Sequence, residues 1–183
     1  MHIGPSFEIV FREAFAALDT QDLEIYLKSF VSEFVRVDPG NFEFRIKNGQ
    51  PVGLDKDCAA SSSLGLHLLL DQDYSDSSIL DQRAQCLLHL GFVPRQRLSL
   101  FAGGKKEIDH EVIGRLGLSL AERYGGFLCL GNLWWIIPRD IEVSFTAFLG
   151  PMPGRLFDRG DNHVADTTWF HAWLEHPNFR LNK

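Results

Sequence analysis

Three groups of side chains have the types and spacing to do chemistry. The first is Asp161, His163 and Asp166 with His171 close behind, a D-x-H-x-x-D spacing whose carboxylate and imidazole donors suit a divalent ion. Asp166 has a simpler role as well, because a carboxylate just ahead of an apolar helix accepts from that helix's first amides. The second is His110 beside Asp109 at a helix N-terminus, where the dipole disfavours the imidazolium and leaves a neutral imidazole able to act as a base. No serine or cysteine carries a nucleophile signature such as G-x-S-x-G, so that base has no marked nucleophile, and a histidine at a cap more often holds a neighbouring loop. The third is Gly103-Gly104-Lys105-Lys106 ahead of a helix. It lacks the G-x-x-x-x-G-K-[ST] spacing, and Asp109 puts negative charge where a phosphate would sit, so it reads as a basic turn. The expectation is a protein that is not an enzyme, with no metal and no cofactor; the alternative is a small enzyme using His110 or the Asp161, His163, Asp166 cluster.

A fourth group suits binding. Asp71, Asp73, Asp76 and Asp81 form an acidic run with Tyr74 inside it, and Asp55 and Asp57 add to it. Charge runs usually face water, yet such a patch also steers a basic partner by complementary potential. Trp134-Trp135 on a short strand must point to opposite faces, so one is core and the other is free to cover an edge or anchor an interface. Asp71, Asp73, Tyr74, Asp76 and Trp134 are the candidate partner-binding residues.

The elements that position these residues centre on Asp109 to Asn132. Val112, Leu116, Leu120 and Tyr124 recur every four residues with Ile113 and Ala121 beside them, while Glu111, Arg115, Ser119 and Glu122 fall opposite: an amphipathic helix. Asp109 is its expected N-cap and Gly125 its left-handed stop, and the apolar run Phe127 to Leu130 is a buried strand. Strands are also expected at Phe7 to Phe11, at Phe42 to Ile46 before an Asn48-Gly49 hairpin signal, at Gly65 to Leu70, Arg97 to Phe101, Trp134 to Ile137 and Ile141 to Leu149. Helices are expected from a Thr20 cap through Phe30, Val31 and Phe34 to the stop at Asp38-Pro39-Gly40-Asn41, from Ser77 or Ser78 to Gly91 with Leu80, Ala84, Leu87 and Leu88 inward, and over Trp169 to Glu175 behind Asp166 or Thr167. Gly91-Phe92 and Gly126-Phe127 each follow a helix and precede a strand, so Arg97 to Leu130 would make a right-handed crossover if its strands are parallel neighbours. The class is α+β: a single domain over 1–183, with a mixed or antiparallel sheet, three main helices and a short C-terminal helix.

Two blocks carry a resemblance. The run from Asp109-His110 through its helix into Gly125-Gly126, and the stretch His163-Val-Ala-Asp-Thr-Thr-Trp-Phe-His-Ala-Trp-Leu-Glu-His-Pro-Asn-Phe-Arg-Leu-Asn-Lys183, resemble an otherwise uncharacterised bacterial family. That family is associated with polymorphic toxin and type VI secretion systems in the role of immunity proteins. The resemblance implies a partner class, a cognate toxin domain, and no active site.

Composition is consistent with that expectation. The chain has 183 residues, 45% of them hydrophobic and 23% charged, which is ordinary for a folded domain with a real core. A net charge of -6 argues against general nucleic-acid binding and favours a basic protein partner. Cys58, Cys86 and Cys129 include no C-x-x-C pair and fit a reducing compartment. With no basic apolar leader and no run long enough to span a bilayer, the expected location is the cytoplasm, with no membrane partner. A cytoplasmic antidote serves against a toxin acting there, such as a nuclease; an interaction module with no toxin partner is the further alternative.

Overall fold

The computed structural model describes residues 5–15, 17–38, 40–54, 66–71, 87–102, 107–131, 133, 145–158, 162–179 and 181. Eight strands form one sheet in the order β2-β3-β4-β5-β1-β6-β8-β7. They are β1 (Ser6–Phe11), β2 (Val31–Asp38), β3 (Asn41–Ile46), β4 (Leu66–Asp71), β5 (Gln96–Ala102), β6 (Phe127–Gly131), β7 (Leu156–Asp158) and β8 (His163–Ala165). Every pairing is antiparallel. Helices α1 (Ala17–Lys28), α2 (Glu107–Tyr124), α3 (Phe145–Leu149) and α4 (Thr167–Leu174) accompany the sheet, with a 3₁₀ turn at Gln50–Val52 and a helical end at residues 87–90. The class is α+β, and the sheet is the antiparallel one of the two expected.

Alternation builds the sheet's buried face. Phe42, Phe44 and Ile46 are buried along β3 while Glu43 and Arg45 are not, and Leu98 lies opposite Ile9 across the β1–β5 ladder. That face meets Leu23 and Leu27 of α1, Val112, Ile113, Leu116 and Leu120 of α2, and Trp169, Phe170 and Trp173 of α4 in one dominant core. The other face carries a smaller cluster of Val10, Cys129 and Val164 under Leu90, Phe127 and Phe157. The two Gly-Phe motifs meet there, with the rings of Phe92 and Phe127 5.4 Å apart.

The helix of the organising stretch is where its periodicity places it. Gly125 has φ 69°, and the Gly126 amide bonds to the Ala121 carbonyl at 2.8 Å, so a left-handed glycine closes the helix. Its start differs from the expectation: α2 begins at Glu107, which puts Asp109 inside the first turn, not at the cap, where its charge still complements the dipole. β5 and β6 both run antiparallel to β1 and therefore parallel to each other, but they flank it. The crossover from Arg97 to Leu130 thus spans an intervening strand, not a pair of neighbours.

Other expectations are corrected. The helix expected through Phe34 ends at Lys28, with Thr20 inside it, and Val31–Asp38 pairs with β3 as a strand. Phe30, Val31 and Phe34 suit helical spacing, but they are aromatic or β-branched, and Phe34 gains more by packing on Phe42 with ring centroids 5.4 Å apart. Asp38-Pro39-Gly40-Asn41 therefore closes a hairpin, since Asp38 pairs with Asn41. Asn48-Gly49 does not make one. Gly49 has φ -80°, and Asn48 Oδ1 accepts from the Gln50 amide at 3.1 Å, so the chain turns into the 3₁₀ segment instead. Residues 145–149 are helical where a strand was expected, with Leu149 buried and Phe148 packed on the core. Leu87 and Leu88, expected inward, are 57% and 74% exposed at a helical end closed by Gly91. Cys129 is buried as a small apolar side chain. Leu80, Ala84, Cys58, Cys86 and the Trp134 to Ile137 strand lie outside the described residues.

Candidate functional site

The residues that invite a catalytic reading are held by the backbone. His110, in the first turn of α2, is 4% exposed, and its Nδ1 accepts the Leu181 amide at 3.0 Å. His163 is 1% exposed, and its Nδ1 accepts the Leu133 amide at 3.1 Å. Asp166 caps α4: Oδ1 accepts from Trp169 N at 2.8 Å, and Oδ2 accepts from Arg155 N at 2.9 Å. The D-x-H-x-x-D spacing is therefore divided between a buried imidazole and a helix cap, His171 faces solvent, and Asp161 lies outside the described residues, as does Gly103 to Lys106. Among the described residues no group of three His, Cys, Asp or Glu side chains is placed to hold a metal. An open cavity of about 580 Å³ lies beside Leu149, Met152, Leu156 and Trp169, and among the described residues its lining is apolar side chains and glycine.

Of the candidate partner-binding residues, the structure places one. Asp71 ends β4 and pairs in register with Arg97 of β5, whose Nη1 donates to Glu8 Oε1 at 3.2 Å. Asp73, Tyr74, Asp76 and Trp134 lie outside the described residues, together with Asp55, Asp57 and Asp81.

A different polar assembly joins α1 to α2. Arg123 donates to Asp22 through Nε at 2.9 Å and Nη2 at 2.8 Å, and the Tyr124 hydroxyl donates to Asp22 Oδ2 at 2.7 Å. The Arg123 guanidinium lies 4.8 Å from the Tyr26 ring centroid, and the Tyr26 hydroxyl hydrogen-bonds Ser119. Hydrogen bonds from Arg123 and then Tyr124 hold the Asp22 carboxyl below its ordinary range. The bond to Asp22 raises Arg123, while burial and then that same carboxylate raise the Tyr124 phenol. Sequence reasoning put Tyr26 and Tyr124 inward and Ser119 outward, helix by helix. The i,i+4 pairs Asp22/Tyr26 and Ser119/Arg123 are visible in the sequence, but only the packing of α1 along α2 makes them one seam.

The fold and these interactions define an α+β protein on a single antiparallel sheet, whose conspicuous polar side chains fasten helices and the C-terminal segment together. The chain belongs to the DUF6368 family, a family of unknown function, whose model matches residues 3–183. No curated protein and no solved structure matches it. No helix among the described residues is long and apolar enough to cross a membrane.

Proposed function

We propose that this protein is an immunity protein, which binds a cognate toxin domain directly and occludes its active or substrate-binding surface. The observation that carries the reading is the use made of His110, His163 and Asp166: each spends acceptor atoms on backbone amides. A general base must present a lone pair to substrate, and a metal ligand must turn its donor toward the ion. These groups instead stiffen the fold, as suits a protein that works by presenting a rigid surface. The resemblance of residues 109–132 and 163–183 to immunity proteins supplies the partner class. The net charge of -6 favours a basic toxin, and a nuclease is the first choice because its substrate groove must attract phosphate. The site of action is the cytoplasm, where such a toxin meets nucleic acid.

The test is co-purification of the tagged protein with the toxin domain encoded beside it, followed by size exclusion and binding calorimetry. The expected result is a stoichiometric complex of nanomolar affinity or tighter. Absence of binding at high micromolar concentration, with hydrolase activity lost in His110→Ala, would replace this reading with the enzymatic one.

A further inference from the structure

We draw no further inference here: the strongest candidate, the open cavity between α3, the loop at residues 150–154, β7 and Trp169 of α4, is lined among the described residues by apolar side chains and glycine, and nothing in the structure shows what covers it.

Discussion

Nδ1 of His110 accepts the backbone amide of Leu181 at 3.0 Å, across 71 positions of sequence. That bond anchors the segment after α4 to the first turn of α2, with Phe179 and Leu181 buried on the core. Replacing His110 by Ala leaves a buried amide without its acceptor, a loss of about 1–3 kcal/mol. The expected outcome for His110→Ala is a lower melting temperature, with faster hydrogen exchange at Leu181 than in the strands of the sheet centre. Toxin binding persists in the same variant. Unchanged stability together with lost function would instead assign the imidazole to chemistry.

The same segment depends on a glycine. A Cβ at Gly114 would lie 2.6 Å from Leu174 Cδ2 and 2.9 Å from Phe179 Cζ, so α4 and the segment after it approach α2 closer than any side chain at that position allows. Alanine improves helix propensity by up to about 1 kcal/mol, whereas overpacking a tight core costs about 1–3 kcal/mol. The crowding wins because both neighbours are themselves buried. Gly114→Ala is therefore expected to melt at a lower temperature than the parent; a rise would mean that Leu174 and Phe179 give way freely.

Asp166 holds two elements with one carboxylate. Its Oδ1 caps α4 through Trp169 N, and its Oδ2 takes the amide of Arg155 just ahead of β7. Asp166→Ala removes both and is expected to cost about 1–2 kcal/mol, the upper part of the range for a lost N-cap. Asp166→Asn, which keeps one oxygen, is expected to recover part of that loss. Added zinc or calcium leaves the melting temperature of the parent unchanged on this account, and a rise by several degrees in micromolar metal would revive the ligand role.

How much of this was legible in the sequence depended on whether local and distant forces agree. The helix from Val112 to Tyr124, its Gly125 stop, the strand after it and the Asp166 cap were readable because propensity, periodicity and capping all favour the same state. Phe30 to Phe34 was misread because its apolar spacing fits a helix, while strand pairing with β3 and stacking on Phe42 decide the outcome. Asn48-Gly49 was misread because its asparagine closes a local turn with Gln50. The insertion of β1 between β5 and β6 has no sequence signal, being a matter of which strand reaches the gap. The seam was invisible for the same reason: Asp22 and Arg123 meet only because α1 lies along α2.

The Asp22 carboxylate also sets a pH dependence whose sign is fixed. Hydrogen bonds from Arg123 and Tyr124 lower its pKa in the folded state. A depressed carboxyl contributes stability that is fully present above its unfolded value, about 3.9, and is lost as pH falls through the folded one. Asp22→Asn keeps the size of the side chain and removes the charge. Its melting temperature is expected to lie below that of the parent at pH 7, with a gap that holds down to about pH 4 and closes as pH falls further, through the lowered pKa of the folded state. The pair is half exposed, so the gap is also expected to narrow in about 1 M salt, where the screening length falls to about 3 Å. A gap that persists undiminished in acid would show that the two acceptor oxygens of Asp22, not its charge, fasten α1 to α2.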